Sequence, residues 1–169
     1  MTATAITTKK RRTKAAADEA PDQIGQREFV TVTIAGQLFG IPVLTVQDVL
    51  GPQRITRIPL APSEVAGALN LRGRIVTAID VRRRLALPPR ESGDSGMSVV
   101  VESGGELYSL VIDQVGEVLS LPPEEFERNP GTLSPQWREV SAGIYRLEGQ
   151  LMIVLDVDRL LQFQRAEAA

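Results

Sequence analysis

The sequence predicts an all-β protein made of two copies of one small five-stranded barrel, with a short C-terminal helix. Three observations carry that expectation. From Glu28 onward apolar residues alternate over short runs, Phe29, Val30, Val32 and Ile34 and then Leu38, Phe39, Ile41 and Val43, which is the period of half-buried strands. The pattern then repeats. Gly36, Leu38, Val46, Val49 and Leu50 recur 69 positions later as Gly105, Leu107, Val115, Val118 and Leu119. Ala66-Gly67, Leu71, Gly73, Asp80-Val81, Arg83 and Leu85 recur 76 positions later as Ala142-Gly143, Leu147, Gly149, Asp156-Val157, Arg159 and Leu161, so the second copy carries an insertion in its middle segment. Finally, about 65 to 75 residues of short strands per copy suit a five-stranded barrel that is marginal alone, so the copies should pack together.

Taken in order, residues 1–27 hold the basic run Lys9-Lys10-Arg11-Arg12 and then Asp18, Glu19 and Asp22 without periodicity, and read as a disordered, solvated tail. Residues 28–87 form the first barrel repeat: two strands about a tight turn at Ala35-Gly36-Gln37, a bend, a Pro-rich loop at Ile58-Pro59-Leu60-Ala61-Pro62, and a hairpin centred on Arg72-Gly73. A polar turn or helix is expected after Asp80. Residues 88–97, with Pro88, Pro89, Ser92, Gly93, Ser95 and Gly96, read as a linker. Residues 98–163 repeat the order with turns at Gly104-Gly105 and Glu148-Gly149, a loop at Leu121-Pro122-Pro123, and a helix where Val157, Leu160 and Leu161 have helical spacing; 164–169 are a tail.

Composition removes most chemistries. With no His and no Cys there is no Ser-His-Asp triad, no thiol nucleophile, no zinc motif and no disulfide, and the three lysines all precede residue 15. No metal or cofactor is expected. No run approaches the roughly 18 apolar residues of a membrane span, and the N-terminus lacks the apolar stretch of a signal peptide, so cytoplasmic residence is expected.

Three constellations remain. Asp80 and Asp156 occupy matching places in the two copies and could form the paired carboxylates of an aspartate-dependent hydrolase. Each precedes a helical-looking segment, however, and fits an N-cap better. Asp94-Ser95-Gly96 imitates a protease signature, but without histidine its serine has no usual base, and it belongs to the linker. Arg72, Arg74, Arg82, Arg83 and Arg84 could meet nucleic-acid phosphates on a small barrel. Against that reading, the chain from Arg27 on has 14 Arg to 18 Asp+Glu and only 4% aromatics overall, so Arg82 to Arg84 read as a solvated helix face. Arg72 differs, since a hairpin tip beside Gly73 displays its side chain.

The block Thr56-Arg57-Ile58-Pro59, Val65-Ala66-Gly67-Ala68-Leu69-Asn70-Leu71-Arg72-Gly73-Arg74-Ile75-Val76 and Ile79-Asp80-Val81 resembles the CheW-like chemotaxis coupling proteins. Their usual string is a Gly shortly before Asn-Leu-Arg-Gly, then an apolar strand and Asp-Leu. Phe39-Gly40-Ile41 through Val49, Leu110 to Leu121 and Leu151 to Leu161 extend the likeness over about 28–163. The resemblance implies two SH3-like five-stranded barrels and no enzymatic activity. It implies an adaptor bridging the cytoplasmic tips of chemoreceptors to the regulatory domain of the histidine kinase CheA, cytoplasmic but recruited to membrane-associated receptor arrays. By the same resemblance no nucleic acid is bound and no membrane is entered. The receptor groove would lie between the barrels at Val46, Asp48, Arg72, Val115 and Val118, and the kinase contact near Val43, Val49 and Leu50. The sequence departs from the family at Leu50, where Arg is frequent, and at Thr77-Ala78, where Pro is frequent.

Overall fold

A computed structural model describes residues 26–91 and 96–163. The basic run Lys9 to Arg12, the residues Asp94 and Ser95, residues 1–25 of the expected 1–27 tail and the expected tail at 164–169 lie outside them, while Arg27, the last residue of that expected tail, is instead the first residue of a strand. Among the described residues ten strands follow one another: β1 (Arg27–Ile34), β2 (Gln37–Pro42), β3 (Val46–Leu50), β4 (Val65–Leu71), β5 (Arg74–Asp80), β6 (Met97–Ser103), β7 (Glu106–Ile112), β8 (Gln114–Leu121), β9 (Ser141–Leu147) and β10 (Gln150–Leu155). They form two five-stranded sheets, ordered β8-β1-β2-β10-β9 and β3-β6-β7-β5-β4. The fold class is therefore the one the alternation predicts.

The distribution of strands is not. Hairpins stay local, β1 with β2, β4 with β5, β6 with β7 and β9 with β10, because a two-residue turn leaves an antiparallel pair no other option. Every other pairing joins the two repeats. β1 takes β8, β3 takes β6, and the parallel pairs β2–β10 and β5–β7 stitch the first repeat to the second. The segments 28–87 and 98–163 are thus repeats of sequence, while each sheet is composed from both. Alternation reports which face a residue occupies and says nothing about the neighbouring strand, which is why the exchange left no mark on the pattern.

Both faces of each sheet are covered. One face of each joins a shared core containing Val30, Val32, Ile34, Phe39, Ile41, Ile79, Val99, Val101, Leu110, Ile112, Ile144 and Ile153. The opposite face of the first sheet closes over Phe29, Tyr145, Met152 and Val154, and that of the second over Leu69, Val76, Ala78 and Val111. Loops from the middle segments seal these smaller cores through the bridges Thr56↔Ala68 and Glu127↔Ile144. They approach so closely that a Cβ on Gly67 would collide with the Thr56 carbonyl oxygen, and one on Gly143 with the Phe126 ring. Glycine is required there by backbone and ring in direct contact.

Among the described residues three short helices complete the fold: α1 (Val81–Arg84), α2 (Pro135–Val140) and α3 (Val157–Leu160). Asp80 and Asp156 cap α1 and α3, accepting from the N–H of Arg83 and Arg159 at 3.4 and 3.2 Å. The N-cap expectation holds, and each carboxylate also faces the arginine of its own helix. α2 occupies the inserted segment and was not foreseen. It seats Trp137 edge-on against Phe39, ring centroids 5.2 Å apart, and buries Val140 in the shared core.

Candidate functional site

The candidate receptor contacts sit on β3, on β8 and at the β4–β5 turn, and the first two are edge strands of different sheets. Each carries a bulge. On β8, Val118 opposes Val30 and Val115 opposes Val32, so three steps along β8 match two along β1. Val115 and Val118 therefore share a face, although simple alternation would separate them. The hydroxyl of Thr31 fixes the distortion by donating to the Glu117 carbonyl at 2.6 Å, and a Cβ on Gly116 would strike that hydroxyl. The corresponding bulge on β3 sets Val46 opposite Val101 and Val49 opposite Val99, so these two share a face as well. All the partner residues belong to the shared core. Val46 and Val115 rest half-buried against it, while Val49 is 40% and Val118 55% exposed.

The same bulge turns Asp48 to the other face of β3, opposite Val100, with Leu50 opposite Ser98. Arg72 meets it from across the barrel. At the β4–β5 turn Arg72 has φ 54° and Gly73 φ 86°, the doubly left-handed turn that suits a tight hairpin, and Gly73 N–H donates to Asn70 Oδ1 at 2.9 Å. Arg72 Nη2 then lies 3.1 Å from Asp48 Oδ2, with the arginine side chain 80% exposed and the aspartate 24%. The approach is an ion pair by distance but is too poorly aligned for a hydrogen bond, so Asp48 Oδ2 is buried without a donor, while its Oδ1 accepts from Val49 N–H. Because β3 and β4 are the two ends of their sheet, this pair spans the seam of the barrel. The matching positions in the other sheet are Glu117 and Glu148, two acids, and only Gly149 of that turn is left-handed, at φ 83°.

The structure thus brings Asp48 to Arg72, and Val46 with Val49 and Val115 with Val118 onto faces of the shared core. It does not unite Val43, Val49 and Leu50 on one face. Val43 packs on the shared core from a single 3-10 turn (Val43–Thr45), and Leu50 follows Asp48. The residue of that stretch most available to a partner is Leu44, 95% exposed, which alternation passed over because it falls in the turn.

Arg82 and Arg84 correct the expected solvated helix face. Arg82 binds Asp113 through two hydrogen bonds of 3.0 and 2.6 Å, Arg90 adds a third at 3.0 Å, and Ala35 N–H a fourth at 2.9 Å. Burial alone would raise the Asp113 pKa, but these donors together hold it below its ordinary 3.8. Arg84 donates to the carbonyls of Leu160 and Arg159 at the end of α3, where a cation complements the helix dipole. Arginines turned inward in this way are withdrawn from any phosphate. Neither cluster had a local sequence signal, since Asp113 lies 31 positions from Arg82 and Leu160 lies 76 positions from Arg84. Among the described residues no group of three or more potential ligands could hold a metal ion.

Comparison with known proteins shows the family and the fold. Residues 28–165 match the family model of the CheW-like domain. The chemotaxis protein CheW of Klebsiella aerogenes is 32% identical over 142 residues, covering 84% of this chain and 85% of that protein. CheW of Treponema pallidum is 29% identical over 139 residues, 80% of this chain and 82% of that one. Among solved structures, the scaffolding protein TtCheW from Thermoanaerobacter tengcongensis superposes with a TM-score of 0.69 at 26% identity, covering 76% of this chain and 88% of its own. With the family model spanning all ten strands and relatives matched over most of their length, the chain belongs to the CheW-like family of chemotaxis coupling proteins, which are scaffolding adaptors and not enzymes.

Proposed function

We propose that the protein couples chemoreceptors to the histidine kinase CheA, in the cytoplasm at membrane-associated receptor arrays, by holding a receptor tip between its two sheets. The observation that carries this reading is the matched pair of bulged edge strands. Val46 and Val49 on one, and Val115 and Val118 on the other, offer apolar rails that pass from half-buried to exposed, a surface suited to the apolar stripe of an amphipathic helix. Arg72 lies with Asp48 on the other face of β3, most of its side chain in solvent, so it has donors to spare for a receptor carboxylate or carbonyl. The kinase regulatory domain would use the segment Val43 to Leu50, with Leu44 as its exposed anchor. Membrane association would come through the receptors, consistent with the absence among the described residues of any helix long and apolar enough to cross a bilayer.

The test is kinase activity in receptor-containing membranes with and without the protein. Addition should raise receptor-controlled autophosphorylation of the kinase, and Leu44→Asp should weaken kinase binding while leaving receptor binding near the wild-type level. A protein that leaves kinase activity unchanged, or one whose Asp80→Asn and Asp156→Asn variants lose a hydrolytic activity without a change in melting, would overturn the adaptor reading.

A further inference from the structure

One wall of the groove is held in place by a single buried hydroxyl. Val115 and Val118 of β8 align with Val32 and Val30 of β1, so Gly116 and Glu117 both face Thr31. Two residues against one leave the extra residue out of the ladder, and its backbone groups need partners from elsewhere. Thr31 supplies one. Its neighbours Val30 and Val32 turn into the shared core, so its own side chain turns to the opposite face of β1, where it is only 5% exposed. From there its hydroxyl donates to the Glu117 carbonyl at 2.6 Å. Gly116 makes the space, because a Cβ on it would stand 2.6 Å from that same hydroxyl oxygen.

The other wall is built differently. On β3 the bulge is held within its own strand, Asp48 Oδ1 accepting from Val49 N–H at 2.9 Å, and the residue opposite Asp48 is Val100. Val100 matches Thr31 at the 69-residue spacing of the repeat and has no hydroxyl. Both copies keep the bulge while only one uses a threonine, so the two walls can be disturbed separately.

We propose that Thr31 is a positioning residue for receptor binding, a role that holds only if the groove is the receptor site. Too buried to meet a receptor itself, it acts by fixing the Glu117 carbonyl, which keeps Val115 and Val118 together on the groove face. Without the hydroxyl that carbonyl loses its donor, and regular alternation becomes the arrangement open to β8. Regular alternation sets Glu117 beside Val115 and turns Val118 to the other face, so a carboxylate replaces an isopropyl group on a wall that must meet an apolar stripe.

Methyl-labelled full chain gives two readouts that need no receptor. The cross-strand contact between Val118 and Val30 reports the β8 wall, and that between Val49 and Val99 reports the β3 wall of the same molecule. In Thr31→Val the first contact should disappear and the second persist. Affinity for a receptor fragment should fall about tenfold, the effect of withdrawing one apolar side chain from an interface, with kinase binding unchanged. Thr31→Ser, which keeps the hydroxyl, should preserve both contacts and the affinity. Gly116→Ala, which forces the hydroxyl to rotate away, should reproduce Thr31→Val, and the double variant should bind no more weakly than either single one, since both act through one hydrogen bond. A Val118 to Val30 contact that survives Thr31→Val, loss of both contacts together, or additive losses of affinity overturns the proposal. So does a lost β8 contact with wild-type receptor affinity, and Val118→Asp then tells which idea failed. If Val118→Asp abolishes receptor binding, the groove stands and only the role of Thr31 falls; if it binds normally, the groove is not the receptor site and both fall.

Discussion

Arg72 and Asp48 show how far a single residue can be read from sequence. Arg72 was legible because Asn-Leu-Arg-Gly between two apolar runs spells a hairpin tip, and a tip displays its side chain. Its pairing with Asp48 was not, since the two are brought together by closure of a barrel whose strand order the sequence does not state. An ion pair this exposed contributes at most about 1 kcal/mol to stability. Arg72→Glu should therefore melt within a degree or two of the wild type yet bind receptor tips more weakly by roughly 2 kcal/mol, the size of one desolvated charge-assisted contact. Titration calorimetry against a receptor fragment checks the affinity and a thermal melt the fold, with Glu148→Arg as a control expected to bind normally. A fold that collapses in Arg72→Glu would show the pair to be structural instead.

At the scale of the element, capping could be read and bulging could not. Asp80 and Asp156 each precede an apolar residue that opens a helix, and a carboxylate in that position accepts from the first turn wherever it occurs. Asp156→Ala should cost about 1 kcal/mol in chemical denaturation, with the m-value unchanged. The bulges on β3 and β8 had no such signal. Nothing in Val-Gln-Asp-Val-Leu or Val-Gly-Glu-Val-Leu announces an extra residue, and alternation taken literally would put Val46 with Asp48 and Val115 with Glu117. On β8 the structure pairs valine with valine because Thr31 holds the Glu117 carbonyl and Gly116 leaves room for it. α2 was missed for a different reason: at six residues, Pro135–Val140 is too short to display a helical period, and its place is set by Trp137 meeting Phe39.

For the whole molecule, Asp113 adds a polar tie to the apolar core that the two sheets share. It sits between β7 of one sheet and β8 of the other, receives Ala35 N–H from the β1–β2 turn, and binds Arg82 from α1 and Arg90 from the segment leading to β6. Because its folded pKa is depressed below 3.8, its contribution is complete above that pH and is lost as pH falls through the lower folded value. Asp113→Asn should destabilise the protein by about 2 kcal/mol at pH 7, comparable to one hydrogen bond to a charged group. Melts of both proteins should converge as the pH is lowered below 3.8; a constant gap down to pH 3 would remove the ionised carboxylate from the explanation. Strand exchange between the repeats has a consequence for synthesis. β2 in the first repeat waits for β10, where Leu38 pairs with Met152, and β5 waits for β7, so neither barrel can close while only the first repeat has left the ribosome. The two copies, ancestrally one module, have become obligate partners in birth, and a nascent chain halted at the linker would expose unpaired strand edges to chaperones and to its neighbours.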